Sequence, residues 1–287
     1  MTQNSSSPSH IHIIEKKEVL LKVLSNLVGI VTRKSTIAYL AHVKIDVLEN
    51  IIKFTTTDNE ISISQQIACN NIKGLGSLTV DALKLYEIIK KLPNELDIEI
   101  KTENQNLLIS SDNIKFSLSF LDAEFFPSIS EEDKQYELII TKAELSLLLE
   151  KTRFAASTEN TRPNLNGIYI ESDLDKITAA ATDTHRLAFA EITKKVDYNF
   201  SFIIPRKAVN EIIKVSSQYD NINLSLHGDN YISRIKVSVE NIQIISKLIA
   251  GSFPNFKNVI PNEFKFCFKL QRKSFIESIE RVSIVSS

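Results

Sequence analysis

A repeat with a period near 126 residues constrains this chain more than any other feature, because a duplicated sequence must fold as a duplicated structure. IIEK at Ile13–Lys16 returns as IITK at Ile139–Lys142, and TTD at Thr56–Asp58 returns as ATD at Ala181–Asp183. EIIK at Glu87–Lys90 returns unchanged at Glu211–Lys214. DNI at Asp112–Ile114 returns as ENI at Glu240–Ile242, and Phe126-Pro127 as Phe253-Pro254. The offsets are 126, 125, 124, 128 and 127, in one order along the chain. Five ordered anchors define two copies of one unit. The expected boundaries fall near Ser130–Lys134 and near Pro261–Asn262, giving a first domain at 11–133, a second at 134–261 and the start of a third at 262–287. The opening MTQNSSSPSHIH is polar, lacks the basic start and apolar core of a signal peptide, and reads as a disordered tail ending about residue 10.

A finer period lies inside the repeat. Helical patterns open near Lys16, Asp81, Lys142, Arg206 and Arg272, at spacings of 65, 61, 64 and 66. Glu18–Val28 sets Val19, Leu20, Val23, Leu24, Leu27 and Val28 on one face, and Asp81–Leu92 does the same with Ala82, Leu85, Ile89 and Leu92. Between helices the period changes to two: Ile61/Ile63, Ile114/Phe116/Leu118/Phe120 and Ile168/Ile170 alternate with polar residues, as half-buried antiparallel strands do. Turn chemistry falls at Asp58-Asn59, Ser111-Asp112-Asn113, Ser172-Asp173 and Gly228-Asp229-Asn230. The predicted unit is one helix plus about four strands, used twice per domain. The class is α+β, antiparallel sheets covered on one face by helices.

Charge separates along the same lines. The net charge is only −1, yet the helical windows 16–34, 81–91, 142–153, 206–214 and 272–281 together carry +9 and the remainder −10. One basic helix face is ordinary solvated surface. Five repeated faces with the same bias predict a shared polyanionic partner, bound through phosphates without sequence preference.

Catalytic and metal chemistry finds little support. No GxSxG elbow, P-loop or HExxH occurs, and Gly74-Leu75-Gly76 is a lone GxG that reads as a turn. Asp173 and Asp175 sit in a hairpin tip, where a turn role outweighs metal ligation. Asp183 and His185 lie beside Arg186, but Asp58 occupies the equivalent place in the first repeat with no His, so a structural Asx turn explains both aspartates. His10 and His12 fall in the expected tail. Cys69 and Cys267, each in a strand-like run, are too few for a disulfide framework or thiolate zinc site and fit a reducing cytoplasm. No uncharged apolar stretch is long enough to span a membrane. No cofactor is expected.

ATDTHRLA at Ala181–Ala188, IPRKAV at Ile204–Val209, LNGIYIE at Leu165–Glu171 and GSFPNFKNVIP at Gly251–Pro261 resemble the bacterial sliding clamp, the β subunit of DNA polymerase III. The resemblance runs from about Ile11 to the end of the chain. It implies a non-catalytic processivity factor: chains of three similar domains, two of which join head to tail into a ring lined by helices around duplex DNA. It also implies partners, namely a clamp loader that opens the ring, and the replicative polymerase, other polymerases and repair factors that dock by a short peptide. Residues matching the groove motif are Leu165, Thr182, His185, Arg186, Leu187, Pro254 and Val259. Leu165, Leu187, Pro254 and Val259 would form apolar wall, Arg186 would orient the peptide and Thr182 would hydrogen-bond to it. Matching DNA-contact positions are Arg33, Lys34, Arg206 and Lys207. Three departures stand out. Thr184 replaces a usual Gly and implies a differently built turn, Asn258 replaces a rim Arg, and Arg162-Pro163-Asn164 lacks aromatics that some clamps carry.

Two other readings compete: a nuclease on a duplicated fold, which needs clustered carboxylates, and a protein-interaction scaffold without DNA, which leaves the charge partition unexplained. The third copy has only an opening strand, Phe264–Leu270, and a helix, Arg272–Val282, with a stripe of Phe275, Ile276, Ile279 and Val282. The repeat logic therefore expects a clamp lacking roughly 100 residues of its third domain, with an incomplete groove and no closed dimer.

Overall fold

A computed structural model of the chain describes residues 10–32, 35–94, 96–130, 133–159, 161–229, 231–261 and 263–286. Arg33, Lys34, Asn262 and all but the last residue of the expected tail lie outside the described residues.

The first repeat runs β1 (His12–Lys16), α1 (Lys17–Leu27), β2 (His42–Val47), β3 (Ile51–Thr57), β4 (Ile61–Ala68), β5 (Ile72–Lys73), β6 (Gly76–Asp81), α2 (Ala82–Lys91), β7 (Asp97–Glu103), β8 (Asn106–Ser111), β9 (Ile114–Ser119) and β10 (Leu121–Asp122). The second runs β11 (Lys134–Thr141), α3 (Lys142–Glu150), β12 (Gly167–Ser172), β13 (Lys176–Thr182), β14 (Leu187–Thr193), β15 (Ser201–Pro205), α4 (Arg206–Ser216), β16 (Asn221–His227), β17 (Arg234–Val239) and β18 (Ile242–Lys247). Apart from the two-residue β5 and β10, every element of one repeat has its counterpart in the other. The predicted unit of one helix and four strands is present four times.

Local chemistry sets the helix starts. The Asp81 carboxylate accepts from the Lys84 N–H at 2.8 Å and caps α2. Thr141 and Glu144 form a reciprocal capping box on α3. The α1 stripe Leu20, Val23, Leu24 and Leu27 is fully buried, as are Ala82, Leu85 and Ile89 of α2. Strand β4 alternates as read, Ile61 and Ile63 facing the core and Ser62 and Ser64 the other side, whereas Ile114 and Phe116 of β9, expected on a half-buried face, are exposed like their polar neighbours.

All described strand pairs are antiparallel. A five-stranded sheet has the order β5-β1-β7-β8-β9, a four-stranded sheet β14-β13-β12-β15, and a nine-stranded sheet β10-β6-β2-β3-β4-β18-β17-β16-β11. The largest sheet crosses from one repeat to the other through β4 and β18, where Ile63 lies opposite Ile244. The helices form a row over these sheets: α2 packs on α1, α4 on the turn Val28–Ile30 that ends α1, and α3 on α4.

The chain divides into two bodies, one reaching Phe253 and the other starting at Pro254. The second holds a 3-10 turn, Phe256–Val259, and helix α5 (Arg272–Ser283). Two expectations need correction. Phe264–Leu270 is not a strand: among the described residues no ladder pairs it, and an isolated strand leaves its backbone groups without partners. Phe266, at 87% exposed, shows that its alternation faces no core. Cys267 in this stretch is exposed, whereas Cys69, just past β4, is buried. His12 is not in a tail; it sits in β1 between buried Ile11 and Ile13, with Nε2 2.8 Å from the Glu99 carboxylate.

Candidate functional site

The helix row carries the basic residues that the sequence set apart, but they divide into two groups. Lys16, Lys22, Lys84, Lys90, Lys91, Lys142, Lys151, Arg153 and Arg206 are exposed. Three others are occupied by the fold. Lys17 is buried and donates to the Leu92 carbonyl and, at 2.8 Å, to Asn94. Lys214 on α4 donates to the Ser25 carbonyl at 2.7 Å, at the C-terminal end of α1. Lys207 donates to the Ile30 carbonyl at 3.1 Å and to the Asp58 carboxylate. A helix C-terminus offers unsatisfied carbonyls and partial negative charge, so lysines from the facing helix are held there. Lys207, expected as a DNA contact, also tethers the repeats, and like its neighbour Arg206 it is exposed.

The same junction holds a buried carboxylate. Glu211 of α4 is only 9% exposed and lies against Gly29, where an added Cβ would come within 2.4 Å of its Oε1. Its Oε2 is 3.7 Å from Lys214 Nζ. Gly29 is what allows the carboxylate to pack there.

The second cluster is the turn between β13 and β14. Asp183 accepts from the N–H groups of His185 at 3.1 Å and Arg186 at 3.0 Å, the expected Asx turn. Asp58 does the same for Glu60 at 3.0 Å and Ile61 at 2.7 Å. The two turns are copies, down to a left-handed residue after each aspartate: Asn59 at φ 74° and Thr184 at φ 77°. The substitution at Thr184 therefore does not rebuild the turn. A β-branched residue holds a backbone conformation that it disfavours, because the surrounding hydrogen bonds fix it.

Those bonds also place Thr182. The Thr182 hydroxyl donates to the Arg186 carbonyl at 2.7 Å and accepts from the Thr184 N–H at 3.1 Å. Its donor and one of its two acceptor lone pairs go to building the turn, so it positions its neighbours and keeps one acceptor. Arg186 is exposed, pairs through Nε with Asp183 at 2.9 Å, and lies 5.8 Å from the centre of the Phe154 ring. Burial works to raise the Asp183 pKa, but the Arg186 and His185 N–H groups and the Arg186 guanidinium outweigh it and hold the carboxyl below its usual range.

Leu165 ends a short 3-10 turn, Pro163–Leu165, leading into β12, and is buried; Leu187 opens β14 and is half-buried. The sheet thus brings Leu165, Thr182, His185, Arg186 and Leu187 to one end of β12, β13 and β14. Phe154, 59% exposed beneath Arg186, joins them. The sequence reading missed it because it lies one residue past the helical window 142–153, where helical periodicity carries no signal. Pro254 and Val259 belong to the second body, where Val259 is 68% exposed. Among the described residues, no group of three or more His, Cys, Asp and Glu could hold a metal ion. Asp173 caps its own hairpin, accepting from the Lys176 N–H at 3.1 Å.

Two copies of a helix-and-antiparallel-sheet unit, fused through one sheet beneath a single row of helices, define a DNA-clamp fold. Family models agree: residues 11–130 match the DNA polymerase III beta subunit, N-terminal domain, and residues 139–255 its central domain. The beta sliding clamp of Rickettsia bellii (strain RML369-C) is 30% identical over 277 residues, covering 96% of this chain and 73% of that protein. Among solved structures, a sliding clamp from Pseudomonas aeruginosa bound to griselimycin superposes with a TM-score of 0.89 at 28% identity, over 97% of this chain and 75% of that one. A clamp from Bartonella birtlesii gives a TM-score of 0.89 at 31% identity, over 97% and 76%. The chain belongs to the bacterial β sliding clamp family. Its function is that of a DNA sliding clamp, a non-catalytic processivity subunit of DNA polymerase III. The family works on DNA with the polymerase and the clamp loader and forms dimeric rings. Among the described residues no helix is long and apolar enough to cross a membrane.

Proposed function

We propose that the exposed face of the helix row meets duplex DNA, and that the end of β12, β13 and β14 is one wall of the partner-peptide groove. The row of four helices, each carrying exposed basic residues, carries this reading. Phosphates attract such a surface without reading sequence, which suits a protein that must slide. Arg206 is assigned to DNA, together with Arg33 and Lys34. Lys207 is assigned a smaller share, since it is held by Asp58 and Ile30. In the groove, Leu165 and Leu187 supply apolar wall, while His185 and Arg186 sit on its rim. The domains so used are 11–133 and 134–261, with 262–287 as the start of a third, and the site of action is the cytoplasm.

The test separates the two surfaces. Arg206→Glu is expected to weaken duplex association and flatten its salt dependence while leaving the melting temperature unchanged. Leu187→Asp is expected to abolish binding of apolar-ended polymerase peptides without touching DNA association. Native DNA association by Arg206→Glu across salt concentrations would remove the helix face from the account.

A further inference from the structure

The turn between β3 and β4 places a carboxylate against the first turn of α4. The two oxygens of Asp58 have separate tasks. Oδ1 accepts from the Glu60 N–H at 3.0 Å and the Ile61 N–H at 2.7 Å, which fixes the side chain. Oδ2 accepts from the Lys207 ammonium across the repeat junction. The Asp58 side chain is 11% exposed and that of Lys207 48%, so the carboxylate is sheltered while the ammonium stays open to solvent. Lys207 uses two of its three donors, on Asp58 and on the Ile30 carbonyl at 3.1 Å, and keeps one.

Comparison of the repeats shows that this pair is particular to the junction. The counterpart of Asp58 is Asp183, whose Oδ2 is taken by Arg186 of its own turn. At the same shift of 125, Arg186 corresponds to Ile61, so the Asp58 turn has no cation of its own. The cation comes from α4 instead. At the shift of 124 set by EIIK, the α2 residue corresponding to Lys207 is Leu83. Arg206, one residue away, has no ion pair among the described residues and is exposed. Two adjacent cations on one helix start thus differ in charge state as seen from solvent: one is bare and one is offset. We propose that Asp58 sets how much of the Lys207 charge duplex DNA meets, and so holds this contact weak, a proposal resting on the reading that the helix face is the DNA surface. A phosphate reaching the open N–H of Lys207 meets an ion pair close to neutral, and less counterion release accompanies the contact. The Asx turn keeps the carboxylate from swinging away, and the Ile30 carbonyl keeps the ammonium from following the phosphate. Asp58 is a positioning residue: it touches Lys207 and not DNA. A protein that must slide gains from contacts attenuated in this way.

A double-mutant cycle read across a salt series tests this. Duplex association of the full chain is measured for the native sequence, Asp58→Asn, Lys207→Gln and the pair. Asparagine keeps the Oδ1 acceptor, and with it the turn, and removes the charge. Asp58→Asn is expected to tighten duplex binding several-fold and to steepen the slope of log K against log salt by about 0.9, the value of one phosphate contact. Lys207→Gln is expected to cost several-fold more affinity in the Asp58→Asn background than in the native one, and to cancel the steeper slope. Asp58→Ser, which keeps a hydroxyl acceptor in the turn, is expected to act as Asp58→Asn does. An equal cost of Lys207→Gln in both backgrounds would overturn the proposal. So would a gain from Asp58→Asn that survives without Lys207, since it would be a general charge effect. Arg206→Glu in the same series separates the two readings. If it weakens binding while the cycle is additive, the role of Asp58 falls and the helix face stands; if it leaves binding native, both fall.

Discussion

Thr184 holds a left-handed conformation that a β-branched residue pays for in steric strain, costing about 1–2 kcal/mol. Glycine relieves this strain but adds entropy to the unfolded chain, so Thr184→Gly is expected to stabilise by a net of about 0.5–1 kcal/mol. Differential scanning calorimetry checks it; a lower melting temperature would mean that the threonine side chain is itself a structural contact. The Asx turns were legible in the sequence, because the same aspartate recurs at one repeat offset with its backbone partners two and three residues on. The role of Lys207 was not. Its partner Asp58 is 149 residues away, and a basic residue at a helix start reads alike whether it faces solvent or a neighbouring carboxylate.

At the scale of elements, the helix starts followed from caps and periodicity, since both are local. The α3 start also sets a pH dependence. Burial works to raise the Glu144 pKa, but the Thr141 N–H and hydroxyl and the Lys194 ammonium outweigh it and hold the carboxyl below its ordinary 4.5. A depressed folded pKa contributes stability above the unfolded value, and that contribution is lost as pH falls through the folded one. Stability should therefore drop below about pH 4.5, and Glu144→Gln should flatten that part of the profile in urea titrations. An unchanged acid limb would show that the capping box carries no net stabilisation. Where the reading failed, at Phe264–Leu270, period-two alternation was present but the neighbouring strand that turns alternation into a sheet was not among the described residues. Periodicity reports which faces differ; it does not report what pairs.

For the whole molecule, the duplication made the fold class legible, and the family motifs pointed to residues that β12, β13 and β14 bring to one end. The fusion of the repeats through β4 and β18 was not, because register between distant strands leaves no mark in local pattern. That junction rests on a close approach: Gly29→Ala would drive a methyl into Glu211 and is expected to cost about 1–3 kcal/mol, read as a lower urea midpoint. Full stability in that variant would show that the repeats can reseat without loss. The central claim, that this chain is a clamp acting by encircling DNA, is tested most directly by retention on DNA of defined topology. Labelled protein is assembled by the clamp loader on a nicked circle, passed through a sizing column in high salt, and the circle is then cut once. Retention on the circle and loss on linearisation is the predicted result. Equal retention on circular and linear DNA would contradict it, because contacts alone would then be holding the protein.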